Sequence, residues 1–247
     1  MKYSMLAVAG FAASAFAHGY VQNFTADGKY QQGFLLDYYY MKQQTGKFPD
    51  TAAWYTENVD IGFVAPDAYA TPDINCHKNS APGAISATVT AGGSLVFSWG
   101  PYKWPHPYGP ILGYVADCGG DCSKVVKTNL QWVKIAAEGI DYASQVWAQQ
   151  KLIDQGGKWT LKVPSSLKPG NYVFRHELIA LHGANSPNGA QNYPQCFNIK
   201  VTGSGTKSLP AGTLGTALYK ADHPGILMNP YTKITSYAMP GPTPWAG

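Results

Sequence analysis

The sequence predicts an all-β fold, an immunoglobulin- or fibronectin-III-like β-sandwich with long surface loops and a few short helices. Three observations lead there. Apolar and polar residues alternate with period two over several separate runs. Those runs are bounded by clusters of Gly, Pro, Asn and Asp, and helical periodicity is scarce between them. Composition agrees: 27 Gly, 18 Pro and 17 Tyr imply many turns and exposed rings, while charged residues make up only 13%.

The N-terminus is read as a leader rather than as part of the fold. Lys2 is followed by an apolar run, Met5 to Phe16, and by the small-x-small site Ala15-Phe16-Ala17. That order is the layout of a secretory signal peptide over residues 1–17, and the run is too short to span a bilayer. Cleavage after Ala17 leaves His18 as the first residue of a secreted, extracellular protein.

Within the mature chain, Ile85, Ala87 and Val89 alternate with Ser86, Thr88 and Thr90. After Ala91-Gly92-Gly93 the alternation resumes at Leu95, Phe97 and Trp99, which predicts a hairpin about the glycines. Trp159, Leu161 and Val163 form a further strand that Pro164 stops, and Phe197, Ile199 and Val201 another. A short helix is expected around Tyr142 to Lys151. Two stretches, roughly 33–75 and 209–247, are poor in strands and rich in Tyr, Pro and Gly; long loops of this kind usually carry function. No repeat, Ser-rich linker or cysteine-stapled module is visible, so residues 18–247 are expected to form one domain with no binding module appended.

The net charge is +4, of which Lys2 in the leader supplies one. The basic residues are scattered, so a nucleic-acid partner is not expected, and no second apolar stretch suggests a membrane. A neutral substrate and a monomeric protein are the natural expectations. Four cysteines in a secreted chain suggest two disulfides, with three possible connectivities. Cys118 and Cys122 flank Gly-Gly-Asp and are paired, which leaves Cys76 with Cys196. The second bridge closes a loop of over a hundred residues and contributes about 4–5 kcal/mol in the chain-entropy model. A zinc site is the rival reading, but paired CxxC spacing is missing.

There are six histidines, at 18, 77, 106, 176, 182 and 223. His18 is unusual because processing gives it two neighbouring nitrogens, the free α-amine and ring Nδ1. The α-amine has a pKa of about 7.7–8.0, so it releases its proton to a metal far more readily than a lysine. One more imidazole completes three nitrogens in a near-planar array, which favours copper(II). Taken alone, such a terminus is more often coincidence than a metal site.

Further motifs change that balance. His18-Gly19-Tyr20-Val21 is followed by Asp27-Gly28-Lys29-Tyr30, Tyr69-Ala70-Thr71-Pro72-Asp73-Ile74-Asn75-Cys76-His77 and His106-Pro107-Tyr108-Gly109-Pro110. Then come Arg175-His176-Glu177-Leu178-Ile179-Ala180-Leu181-His182 and Gly189-Ala190-Gln191-Asn192-Tyr193-Pro194-Gln195-Cys196. In that order these resemble the fungal cellulose-active lytic polysaccharide monooxygenases of auxiliary-activity family nine, formerly glycoside hydrolase family sixty-one. The resemblance runs from His18 to about Val201 and weakly on to Tyr231. It implies a secreted enzyme that cleaves glycosidic bonds in cellulose or a related β-glucan oxidatively, at C1, C4 or both. The cofactor would be one copper ion, cycling between Cu(II) and Cu(I), with an external electron donor and dioxygen or hydrogen peroxide. By the same resemblance, His18 (amine and ring) and His106 (ring) hold the copper, Tyr193 lies on its axis, and His182 with Gln191 forms the outer-sphere pair.

The remaining candidates have plainer readings beside the functional one. His176 shares strand parity with Tyr172, Phe174 and Leu178 and reads as a satisfied core histidine; Arg175 and Glu177, of opposite parity, read as a solvent-facing or half-buried ion pair. His77 is expected to be held by the neighbouring disulfide, and His223 to be exposed. Tyr231 matches the tyrosine of the family's C-terminal surface loop and is the leading substrate contact, with Tyr20 and the Tyr38-Tyr39-Tyr40 run as further candidates. Asn23-Phe24-Thr25 is a glycosylation sequon. Two other functions compete: a glycoside hydrolase, for which Asp117, Asp121 and Glu177 form no recognisable pair, and a non-catalytic polysaccharide- or copper-binding sandwich, which would not need His182 and Gln191.

Overall fold

The computed structural model describes residues 18–247; the leader predicted over residues 1–17 lies outside the described residues. In chain order the strands are Tyr20–Ala26 (β1), Lys29–Gln32 (β2), Ala87–Thr90 (β3), Ser94–Gly100 (β4), Ile111–Asp117 (β5), Gln131–Glu138 (β6), Ile140–Asp141 (β7), Val146–Trp147 (β8), Lys158–Lys162 (β9), Gly170–Ala180 (β10), Gln191–Thr202 (β11) and Thr213–Leu214 (β12). A four-stranded sheet, β2-β1-β4-β9, faces a six-stranded sheet, β12-β6-β5-β10-β11-β3, as the sequence predicts for a sandwich. Three short helices, Leu36–Thr45 (α1), Asp73–Cys76 (α2) and Ala148–Asp154 (α3), lie in the connections. Among the described residues no helix is long and apolar enough to cross a membrane.

The alternating residues named from sequence fill the space between the sheets. Leu95, Phe97, Leu161, Phe197, Ile199 and Val201 are buried there with Phe24 and Phe174. The predicted hairpin is not formed. β3 pairs in parallel with β11, while β4 pairs with β1 and β9 in the opposite sheet. The glycine turn therefore carries the chain across the sandwich: Gly92 takes a φ of +85° and Gly93 N–H donates to Thr90 O. Period-two patterning specifies which face is buried, not which neighbour is paired, and both runs bury their apolar face in the same core. Ile85, two residues before β3, is 47% exposed. The expected helix begins only at Ala148, because Asp141 Oδ1 accepts from Ala143 and Ser144 N–H and Gln145 takes a left-handed φ of +60°. That is a turn, which delays the helix.

A second buried cluster covers the outer face of the six-stranded sheet. The strand-poor stretches supply it: Trp54, Val64, Tyr69 and Ile74 from one, Leu218, Tyr219, Ile226 and Ile234 from the other. β10 is consequently buried on both faces, which overturns the reading of Arg175 and Glu177. Both are fully buried. Both disulfides form as paired from the sequence, Cys76–Cys196 and Cys118–Cys122. Asn23 lies within β1, between Gln32 and Ser98 on the neighbouring strands, and is half-buried.

His176 is the core histidine that its parity predicts. Its ring stacks on Phe97 at 4.5 Å, and Nε2 accepts from Trp99 Nε1–H at 2.9 Å. Burial draws its pKa down to about 3, and burial likewise draws that of His77 down to about 4. Both rings are neutral when folded, whereas the unfolded chain takes up protons below about pH 6.5. Their contribution to stability is therefore complete above about pH 6.5 and is lost as the pH falls toward the folded values. Each histidine adds up to about 1.4 kcal/mol per pH unit. Denaturant unfolding of metal-free protein between pH 6.5 and 5 is expected to show this slope. His176→Gln, which keeps an acceptor for Trp99, removes one proton's share; an unchanged slope contradicts the assignment.

Candidate metal centre

Strand register gathers the predicted site residues at one end of the sandwich. β10 and β11 run antiparallel with Leu178 opposite Tyr193 and Ala180 opposite Gln191. His182 follows two residues beyond β10, and β5 begins at Ile111 beside Leu178. The segment before β5 carries His106, and His18 stands just ahead of β1, whose Tyr20 faces Gly100 at the end of β4. Gly109 lets the His106 segment lie on β10: its φ is +133°, and a Cβ there would fall 1.9 Å from Ile179 O.

The rings meet closely. His18 and His106 have centroids 5.7 Å apart, and Tyr193 lies 5.9 Å from His18 and 6.3 Å from His106. His182 stacks on His106 at 4.0 Å with 7° between planes. Tyr193 O–H donates to Gln191 Oε1 at 2.6 Å. All five residues named from sequence for the copper and its surroundings are thus brought together.

Two imidazoles held by one ion, each through a metal–nitrogen bond of about 2 Å, place their centroids at most ~6 Å apart. The 5.7 Å separation of His18 and His106 fits one metal between them. Among the described residues no three His, Cys, Asp or Glu side chains are grouped to hold a metal. Burial lowers the pKa of His18, against the pull of Asp60, and lowers that of His182, aided by the charge of His18. Both shifts favour the neutral ring, the form in which the His18 imidazole could bind a metal. Burial, then the charge of Asp60, pushes the Tyr193 phenol far above its ordinary range, so it keeps its proton.

Several neighbours had no role in the sequence reading. Trp104 packs edge-on to both His106 (5.1 Å) and Tyr193 (4.9 Å), and its Nε1–H donates to Gln149 Oε1. Its place two residues before His106 was the available signal. Phe63, 37% exposed, lies 5.9 Å from His18 and 6.0 Å from Tyr193. It comes from a strand-poor stretch, where no periodicity marks it. His77 explains how that loop is held. Its Nδ1 accepts from Lys78 N–H, so Nε2 carries the proton and donates to Gly62 O at 3.1 Å. His77 is therefore a buried strut, held by Gly62 and Lys78 rather than by the neighbouring disulfide. His223 is half-buried rather than exposed, its Nδ1 accepting from Gly225 N–H.

Behind the rings, Asn192 points to the opposite face of β11. Its amide donates to Glu177 Oε1 at 2.8 Å and accepts from Tyr69 O–H at 2.6 Å. Glu177 is gripped by Arg175 through two bonds of 2.5 and 2.8 Å and by Tyr219 O–H. Tyr231 is 59% exposed, and its ring meets Tyr108 edge-on at 5.0 Å. Tyr20 is half-buried beside Phe34 and Gln195. Tyr38 packs on Phe34 and Tyr39 on Tyr40 rather than on any ring of the cluster.

The hydrolase reading fails on these positions. Glu177 is committed to its ion pair. Asp117 pairs with Tyr172, ten residues back along the chain from His182, about 30 Å away for extended chain. Asp121 lies beside it in the Cys118–Cys122 loop, where its carboxylate accepts from Ser123.

The chain matches the model of Auxiliary Activity family 9 (formerly GH61) over residues 18–237. It is 66% identical over 245 residues to AA9 family lytic polysaccharide monooxygenase cel61B of Hypocrea jecorina, covering 99% of this chain and 98% of that protein. The solved structure of Cel61B from Hypocrea jecorina, a glycoside hydrolase family 61 member, superposes with a TM-score of 0.91 at 68% identity, covering 92% and 100% of the two chains. A cellulose-active polysaccharide monooxygenase from M. thermophila superposes at 0.77 with 29% identity over 93% and 100%. A secreted class of oxidative, copper-dependent enzymes is thereby defined. This chain belongs to Auxiliary Activity family 9, the lytic polysaccharide monooxygenases.

The buried pair behind β11 yields a direct expectation. Glu177→Gln leaves Arg175 without its counter-charge in a fully buried position, and stability should fall by about 3–5 kcal/mol. Urea unfolding of the metal-free protein measures it; a loss under about 1 kcal/mol would mean that the pair is not held as described.

Proposed function

We propose that this chain is an extracellular copper enzyme that oxidatively cleaves cellulose, with His18 and His106 as its metal-holding residues. The observation that carries the reading is the convergence of His18, His106, Tyr193, His182 and Gln191 at one end of the sandwich. That the family match begins at residue 18, where the leader is expected to end, supports it. Copper, when bound there, supplies the one-electron redox chemistry that activates dioxygen or hydrogen peroxide once an external donor has reduced it.

The protein's own groups have distinct parts. The His18 amine and ring, with the His106 ring, would hold the ion. Tyr193 keeps its proton and commits it to Gln191, so its oxygen would be at most a weak neutral donor beside the ion. Because Gln191 Oε1 accepts that proton, its amide N–H groups remain for an oxygen species. His182 has a buried Nδ1 without a partner, and the stack on His106 fixes its ring; it orients the oxygen co-substrate and can hold a proton. Exposed Tyr231 is the leading contact for sugar rings, an amphipathic use suited to tyrosine.

The test begins with the secreted protein. Its N-terminal mass should place His18 first, and titration should give one copper per chain. His106→Ala should weaken binding by more than about 100-fold, beyond the range for loss of a mere supporting group. Affinity should also fall as the pH drops below about 8, where the α-amine holds its proton. Oxidised oligosaccharides from amorphous cellulose should require both copper and reductant. Reducing ends formed without either, or an N-terminus other than His18, would overturn the proposal.

A further inference from the structure

We infer that Tyr231 is a positioning residue for His182: its hydroxyl holds the turn that carries the imidazole, while its ring faces the polysaccharide. The inference rests on the proposed function and concerns what sets the orientation of His182. That residue lies beyond the end of β10, so no ladder fixes its backbone. The turn is held instead by two neighbouring loops. From the His106 side, Tyr108 O accepts from Leu181 N–H at 2.9 Å; from the C-terminal side, Met228 N–H donates to Ala184 O at 2.8 Å. Both links are main chain to main chain, and any sequence could make them. The link to His182 itself is different: Tyr231 O–H donates to His182 O at 2.8 Å, and a side chain carries it.

Tyr231 is prepared for this part. Its backbone N–H is bound by Asn229 Oδ1 at 3.0 Å, and its ring abuts Tyr108, two residues after His106. The residue thus joins the segment bearing His106 to the turn bearing His182, whose rings stack at 4.0 Å. It is nonetheless 59% exposed, with its ring in the wall of an open groove beside Gln145 and Lys233. One residue therefore touches both the solvent face and the backbone of His182. A sugar resting on the ring bears on the bond that sets the imidazole. Errors of position near reacting groups are costly, about 100-fold for 1 Å in unfavourable cases.

Tyr231→Phe separates the two parts, because it keeps the ring and removes only the hydroxyl. In copper-free protein at fixed pH, the His182 ring Cε1–Hε1 signal should move and broaden. Exchange of the Ala184 amide should quicken about two- to tenfold, the range for one neutral hydrogen bond. Binding to insoluble cellulose should stay within about twofold, and in copper-loaded enzyme kcat should fall by a similar two- to tenfold with KM unchanged. Tyr231→Ala should lose cellulose binding as well. A His182 signal and an Ala184 exchange rate like those of the unaltered protein in Tyr231→Phe overturn the inference. So does a loss of cellulose binding in Tyr231→Phe equal to that in Tyr231→Ala with His182 unmoved, since the hydroxyl would then serve the sugar. If Tyr231→Ala binds cellulose normally while Tyr231→Phe still moves His182, the substrate contact is refuted and the positioning role stands.

Discussion

The arrangement depends on the antiparallel pairing of β10 with β11, which is buried on both faces. One face meets the opposite sheet through Phe174, Leu178 and Phe197; the other is covered by the long connections. With no solvent face, the pair has no freedom to slip, since a shift of one residue would exchange every inward and outward side chain. Register alone therefore determines that Gln191 and Tyr193 project toward the histidines while Asn192 projects away. The Cys76–Cys196 bridge and the Arg175–Glu177–Asn192 chain tie the same strands to the covering loops. A buried ion pair adds little net stability over a well-packed apolar substitute, because desolvation offsets most of the attraction. What it contributes here is orientation: Glu177 has its oxygens occupied by Arg175, Tyr219 and Asn192, and each bond fixes an angle.

This division between a rigid back and a reactive front recurs across the site. Behind it, Trp104 is fixed by Gln149, His176 by Trp99 and Phe97, and His77 by the two bonds of its ring. None of these presents an ionisable group near its working pH, since burial holds the histidines neutral. In front, the groups with spare hydrogen-bonding capacity are those proposed to meet oxygen species, His182 Nδ1 and the Gln191 amide. The division is not complete, since His176 Nδ1 is also buried without a partner; what the supporting groups share is that packing fixes their orientation.

The sequence disclosed the sandwich, the disulfides and the residues of the site, and for identifiable reasons. Alternation at Leu95–Trp99 and Phe197–Val201 marks buried faces because the strand period is two. The histidines and Gln191-x-Tyr193 were legible through the ordered motifs that resemble the family, since His18 taken alone reads more often as coincidence. Partner strands were not legible: the runs around Gly92-Gly93 have the same pattern whether they pair or face each other across a core. The burial of Arg175 and Glu177 was hidden for a related reason. Parity gave the face correctly, but what covers that face comes from distant stretches without periodicity. Phe63 escaped notice in the same way, delivered by a loop whose shape depends on His77.

The site also constrains when the protein can act. Under the proposed function, two imidazoles of the ring cluster, His18 and His106, hold the ion while the third, His182, stacks on His106, and the nitrogen of His18 would lie in a peptide bond until the expected leader is removed. A peptide nitrogen has its lone pair delocalised into the carbonyl and does not coordinate readily at neutral pH, whereas the amine formed by cleavage does. On that reading the unprocessed chain would offer copper the His18 and His106 rings alone. Under the proposed function, the cleavage that would free the His18 amine would also complete the ligand set, so an unprocessed chain would lack the third nitrogen.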